Sequence, residues 1–170
     1  MSVTEHKKEA PKTVNCKVIT VSDTRTVDTD KSGTYIKESL LNHGHIIADY
    51  EIVKDEQREI HDAIIEGIQA DHIDAVLLNG GTGIADRDVT IETVKALITK
   101  EIVGFGELFR MLSYTEDIGP AAMLSRAIAG VSHHTAIFAM PGSSGAVKLA
   151  MDKLIISELG HVMREIRKDM

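Results

Sequence analysis

The sequence predicts one three-layer α/β/α domain on a mostly parallel sheet, and three features predict it. Short β-branched runs alternate with segments of helical period; the runs are largely continuous; and a polar, turn-rich segment follows each of them. Strands separated by helical patterns of about 10–15 residues imply βαβ units. Continuous apolar runs are what strands covered on both faces require.

Taken in order, residues 1–12 are polar, lack the apolar stretch of a signal peptide, and are expected to form a disordered tail before a single domain at 13–170. Val14–Val21, Ile46–Val53, Ile73–Leu78 and Thr135–Met140 are the strand candidates. A first helix carries Ile36, Leu40 and Leu41 and stops at Gly44, a good C′ residue. Ile60, Ile64 and Ile68 form a stripe at i, i+4, i+8 on a second. Ile91, Val94 and Ile98 mark a third, and Leu108, Met111 and Leu112 a short fourth. Pro120 suits the first turn of a fifth through Ile128, with Gly130 beyond its end. The last is long, from Val147 to Ile166, with Gly160 as its soft spot.

Composition bounds the ligands. A chain of 170 residues, 43% hydrophobic and 26% charged, is ordinary globular material for one domain. Nineteen Lys and Arg against 26 Asp and Glu give a net charge of −7, so no broad basic field draws in nucleic acid or an anionic membrane. Three Tyr, three Phe and no Trp leave no stacking platform for single strands. The longest stretch free of charge, Ala127–Val147, is broken by His133, His134, Pro141 and glycines, so it is not a membrane span, and a cytoplasmic protein is expected. The single cysteine, Cys16, excludes an internal disulfide and is expected as a small buried hydrophobe. An anionic ligand must therefore be held by local devices: backbone amides, helix N-termini, a metal ion, a few arginines.

Such devices lie where the strands end, the usual ligand crevice of an open α/β sheet. The four segments are Ser22-Asp23-Thr24, Asp55-Glu56, Asn79–Gly83 followed by Asp86-Arg87-Asp88, and Pro141–Gly145. Gly80, Gly81, Thr82 and Gly83 can turn successive N–H groups inward as an anion-binding nest, or can simply make a tight strand-to-helix connection. The loop fits neither the Walker A pattern nor Gly-x-Gly-x-x-Gly. Ser143 and Ser144 can cap the long helix, whose N-terminus is also a phosphate site. Asp55 and Asp88 each precede a helix, where capping is the ordinary role. Following different strands, they can instead meet across the rim, and two carboxylates beside phosphates suit Mg²⁺. Asp23, Glu56, Asp86 and Glu92 are weaker candidates for that task. The eight histidines have no zinc-site spacing and are expected exposed or capping.

In order along the chain, these segments resemble the molybdenum cofactor biosynthesis proteins of the MoaB/Mog type. The residues that carry the resemblance are Val21-Ser22-Asp23, Lys54-Asp55-Glu56, Gly80–Gly83 with Arg87-Asp88-Val89-Thr90, Gly104-Phe-Gly-Glu107, Leu124-Ser-Arg126 and Pro141-Gly142-Ser143. Gly104–Ser113 and Pro141–Val147 look closest to the MoaB branch; Asn79 stands where related sequences often have Thr. The resemblance implies Mg²⁺-dependent transfer of adenylyl from ATP to molybdopterin, releasing pyrophosphate. Asp55 and Asp88 match the family's essential aspartates, as catalytic residues and metal ligands. Gly80, Gly81, Thr82, Gly83, Pro141, Gly142, Ser143 and Ser144 fall where nucleotide and phosphate bind. Ser22, Asp23, Glu107, Ser113 and Arg126 fall on the substrate side. The resemblance also implies a homotrimer or hexamer, with apolar helices beyond Gly104 as contacts, and other cofactor-biosynthesis proteins as partners. The alternative within the same family is a molybdopterin-binding or scaffolding member without turnover.

Overall fold

A computed structural model describes residues 1–170. The strands β1 (Asn15–Val21), β2 (Ile46–Val53), β3 (Ala75–Asn79), β4 (Lys100–Glu101), β5 (Ile128–Ser132) and β6 (Thr135–Met140) form one sheet in the order β2-β1-β3-β6-β5-β4. The first four run parallel, and β5 and β4 complete one edge antiparallel. The helices are α1 (Val3–Glu9), α2 (Lys31–Asn42), α3 (Gln57–Gln69), α4 (Thr90–Leu97), α5 (Val103–Glu116), α6 (Ser144–Ala150) and α7 (Ile156–Arg167). A π turn over Met151–Ile155 joins α6 to α7 in one rod.

Strand alternation divides the interior into two cores. Cys16, Val18, Ala75, Leu77, Ala136 and Phe138 face α2, α5, α6 and α7. Ile19, Val21, Val76, Leu78, Ile137 and Ala139 face α3 and α4. Each of these strands is buried on both sides, which is why its sequence is an apolar run instead of an alternation. Cys16 is fully buried, and burial pushes its thiol up to about 12, so it packs as a hydrophobe. Lys17 interrupts the run and is also fully buried; its ammonium is held by Asp49, Glu51 and Glu66 at 3.2, 3.6 and 3.4 Å.

Because β2 and β3 lie on opposite sides of β1, the direction of the crossovers reverses at β1 and β3. The carboxyl ends of these two strands therefore bound the crevice where ligands bind in such sheets.

Several expectations need correction. The disordered tail expected over residues 1–12 contains α1, started by a capping box between Ser2 and Glu5. The helix lies on α7 through a Lys7–Glu158 ion pair and an Arg164–Glu9 pair at 2.6 Å. Gly160 is no soft spot: a Cβ there would come within 2.6 Å of the Pro11 carbonyl, so glycine lets the N-terminal segment cross the helix. The expected fifth helix is a 3₁₀ turn, Gly119–Leu124, and Ile128 and Gly130 belong to β5. A Cβ on Gly130 would meet the Lys100 carbonyl at 2.6 Å, so the glycine admits β4 at close approach. The fourth helix is α5, fourteen residues long. It buries Phe105, Phe109 and Ser113 while Leu108 and Met111 are exposed, because apolar residues on both sides leave its phase ambiguous.

Candidate active site

Four chain segments meet at the β1/β3 crevice, and backbone contact brings them together. Gly80 and Gly81 have φ of +98° and +67°, in the left-handed region. A Cβ on Gly80 would lie 2.3 Å from the Val21 carbonyl; one on Gly142 would lie 3.1 Å from the Gly80 Cα. The glycine loop and the Pro141–Ser144 turn thus pack main chain against main chain, where no side chain fits between them. The Gly80 amide donates to the Met140 carbonyl, whereas the amides of Gly81, Thr82 and Gly83 donate to no group within the chain. They are the unused donors of the loop.

The two aspartates do not cap. The N-cap residues of α3 and α4 are Glu56 and Val89, and neither makes a side-chain capping bond. Asp88 closes the turn before α4, its Oδ2 accepting from the Ala85 amide at 3.1 Å. A Cβ on Gly83 would sit 2.5 Å from that oxygen, and one on Gly81 would sit 2.9 Å from Asp55 Oδ1. Both carboxylates therefore rest against the glycine loop. Asp55 Oδ1 is buried and has no hydrogen-bond partner. Burial first, then the charges of Asp88 and Asp23, push the Asp55 carboxyl above the ordinary carboxylate range. A buried unpartnered acceptor costs about 1–3 kcal/mol, so this arrangement disfavours the ligand-free fold. A cation offered to this carboxylate would relieve both the unmet bond and the repulsion.

The neighbouring groups hold these loops in place. Asp23 accepts from the Asp55 amide at 3.0 Å and pairs with Arg87. The Ser22 hydroxyl accepts from the Arg25 amide at 3.0 Å, turning the chain away from β1. Arg126 lies in the segment before β5 and is turned inward. Its guanidinium donates to the carbonyls of Thr82, Gly83 and Asp88 at 3.0, 2.7 and 3.1 Å and pairs with Glu92. That ion pair holds Glu92 below its usual range. Arg126 thus clamps the glycine loop from behind. Ser143 caps α6, its Oγ accepting from the Ala146 amide at 3.3 Å, and Ser144 is exposed beside it. Glu107 is exposed on α5 and Ser113 is buried near the end of that helix; no hydrogen bond ties either side chain to the loops.

A buried network missed by the sequence reading supports the crevice. Asp30 caps α2 and accepts from the Gly33 amide, Thr20 Oγ1 and Tyr50 Oη at 2.9, 2.6 and 2.5 Å. Arg25 lies 3.7 Å from Asp30 and donates to Asn79 Oδ1 at 3.3 Å and to the Gly142 carbonyl at 2.8 Å. Asn79, fully buried, also donates to Thr20 Oγ1 at 2.9 Å. The signal for Asp30 was available, an Asp three residues before a glycine at a helix start; Arg25 had none. Two recesses flank the 84–89 segment. One of about 440 Å³ is lined by Asp55, Arg87 and Val89, and one of about 320 Å³ by Asp88, Glu92 and Arg126.

Comparison with known proteins shows the family. Residues 17–161 match the family described as "Probable molybdopterin binding domain". Molybdenum cofactor biosynthesis protein B of Bacillus subtilis is 67% identical over 169 residues, covering 99% of both chains, and that of Bacillus anthracis is 61% identical over 168. A crystal structure of a molybdenum cofactor biosynthesis protein B superposes with a TM-score of 0.91 at 59% identity, covering 94% of this chain and 99% of the other. The tungsten cofactor synthesizing protein MoaB from Pyrococcus furiosus superposes at 0.83 with 42% identity over 93% and 99%. A chain with this crevice, matched along nearly its whole length by such relatives, belongs to the molybdopterin-binding domain family of the molybdenum cofactor biosynthesis B proteins.

Proposed function

We propose that the chain serves molybdenum cofactor biosynthesis by transferring the adenylyl group of ATP to molybdopterin. The observation that carries this reading is Asp55: a buried carboxylate oxygen with no partner, in a carboxyl pushed up by burial and by two neighbouring acids, against a loop with three unused amides. A structural aspartate would have found a partner.

In this reading a phosphate oxygen of molybdopterin attacks the α-phosphorus of ATP, a P–O bond to that phosphorus forms, the bond to the β-phosphate oxygen breaks, and pyrophosphate leaves. The amides of Gly81, Thr82 and Gly83 and the N-terminus of α6 receive phosphate oxygens. Asp55 and Asp88 would hold Mg²⁺, whose chemistry there is to neutralise and align the phosphates. Arg87, anchored by Asp23, contributes positive charge at the mouth of the larger recess. No protein nucleophile is required, because phosphoryl transfer asks mainly for alignment and charge neutralisation. Recesses on both sides of the 84–89 segment, of a size usual for small-molecule sites, give room for two ligands. Incubating the protein with molybdopterin, ATP and Mg²⁺ should give adenylylated molybdopterin and pyrophosphate. Absence of product from a preparation that still binds molybdopterin would replace the reading with a binding or scaffolding role.

A homo-oligomer belongs to the same reading. Val103, Leu108, Met111, Tyr114, Ile118 and Met123 are between 46% and 82% exposed along α5 and the 3₁₀ turn that follows it, a run of uncovered apolar side chains. Further copies of the chain, as a trimer or hexamer, cover it. Sedimentation velocity at two concentrations tests this, and a species of 18.6 kDa at both would refute it.

A further inference from the structure

Far from the crevice, α1 and α7 bring two imidazoles and a carboxylate together. His6 Nδ1 lies 3.4 Å from Glu165 Oε1, and His161 Nε2 lies 3.9 Å from the same oxygen. The candidate ligand atoms of the three residues all fall within 4.8 Å of one another. We propose that His6, His161 and Glu165 bind a divalent transition-metal ion, with Zn²⁺ as the best fit, and that the bound ion fastens α1 to α7.

The donor chemistry supports this. Two imidazoles and one carboxylate are a ligand set for zinc, and the set excludes Mg²⁺ and Ca²⁺, which prefer oxygen donors. Zinc–ligand bonds of about 2.0–2.1 Å place neighbouring tetrahedral ligands roughly 3.3 Å apart, so the two contacts at Glu165 are already near the required separation. His161 and Glu165 stand four residues apart on one face of α7, and His6 arrives from the other helix. The outer partner is also in place. His161 Nδ1 lies 2.9 Å from Glu158 Oε2, a carboxylate placed to accept from Nδ1 when Nε2 binds an ion. Carboxylates behind ligating histidines orient them in this way and make the ring a better donor. The Glu165 carboxylate is oriented by Arg164, 2.8 Å from Oε1, and by Lys168, 3.1 Å from Oε2, so an ion on Oε1 shares that oxygen with Arg164.

The fold gives the ion a task. α1 has seven residues, none of them buried, and adds nothing to either core. A helix of that length is not stable alone in water and depends on its tertiary contacts. Those contacts are polar pairs around the same cluster: Lys7 with Glu158 and Glu9 with Arg164. An ion shared by both helices closes the loop between residues 6 and 161 with bonds stronger than these exchangeable pairs.

The full chain, freed of metal, is titrated with Zn²⁺ in competition with a chromophoric chelator. The expected result is one equivalent of Zn²⁺ per chain that disappears in His6→Ala and in His161→Ala and binds about tenfold more weakly in Glu158→Gln. Because α1 lies outside both cores, His6→Ala retains the fold, which circular dichroism verifies. Hydrogen exchange at residues 3–9 should slow on adding Zn²⁺ and not on adding Mg²⁺. A Zn²⁺ titration unaffected by His6→Ala would overturn the site. Exchange in α1 unaffected by bound Zn²⁺ would overturn the fastening.

Discussion

Asp30 and Asp55 follow neighbouring strands, β1 and β2, and both lie near the entry to a helix, yet the chain treats them in opposite ways. Asp30 accepts from an amide and two hydroxyls and faces Arg25. Asp55 keeps one buried oxygen without a partner and sits among like charges. The first arrangement fixes the structure. The second leaves a cost in the ligand-free fold that a bound cation removes. The same residue type therefore separates a supporting region from a reacting one, and satisfied hydrogen bonding marks the boundary.

The comparison can be broken by exchanging the consequences of the two residues. Asp55→Ala or Asp88→Ala should lower adenylyl transfer at least about 10³-fold, roughly 4 kcal/mol in the barrier, with an unchanged circular dichroism spectrum. Pyrophosphate release measures it, and a loss below tenfold would deny these residues a direct role. Asp30→Ala should instead cost about 3 kcal/mol of stability by leaving Tyr50, Thr20 and Arg25 without their shared acceptor. At about 2–4 °C per kcal/mol for a chain of this size, calorimetry should find the melting point lower by about 6–12 °C.

Arg126→Ala probes the ground between the two. Its guanidinium holds the carbonyls of Thr82, Gly83 and Asp88, so its loss should loosen the nest and reduce kcat/KM by about 10–100-fold. The melting point should move by no more than a few degrees; a drop as large as that of Asp30→Ala would place Arg126 in the supporting region. The smallest effect concerns pH. The Asp55 carboxyl is raised in the fold above its ordinary value of 3.8. Below 3.8 it is protonated whether folded or unfolded and contributes nothing. As pH climbs from 3.8 through the folded value, the unfolded chain ionises more readily, and folding loses stability. In buffer without Mg²⁺, Asp55→Asn should therefore melt above the parent at pH 7, and thermal melts across pH should show that advantage vanish below about pH 4. A variant less stable at pH 7 would assign Asp55 to the supporting side.

Much of this was legible in the amino acids, for identifiable reasons. Strands buried on both faces leave continuous apolar runs, so β1, β3 and β6 could be read directly, and the half-buried edge strand β2 was legible from the apolar residues at its two ends. β5 could not, because Ala129 and Gly130 are small to admit close neighbours and do not read as strand formers. Tertiary packing decides the face of α5, since its apolar residues surround the helix. At the crevice, the glycines and aspartates announced themselves by type and order. Asp55 and Asp88 were open to a capping reading that only the hydrogen-bond geometry removes. Arg25 gave no signal, and Asn79 stood out only as the start of the glycine segment, because their buried role depends on partners 54 to 117 residues away in sequence. α1 was missed because it is held by charge pairs, which carry no hydrophobic period.

The π turn at Met151–Ile155, where the Ile156 amide reaches back to the Met151 carbonyl, places one surplus residue in an otherwise regular rod. Each residue advances a regular helix by about 100°; the wider π turn winds less per residue and so absorbs the surplus one with little change of phase between the two halves. Upstream, α6 aims its first turn at the crevice; downstream, α7 presents His161 and Glu165 to α1. Excising one residue there would restore regular winding and leave the side chains beyond Ile155 close to their present faces, whereas a deletion from the regular turns of α6 or α7 would rotate everything beyond it by about 100°. The tolerance of this rod to insertion and deletion is thus governed by rotation before it is governed by length.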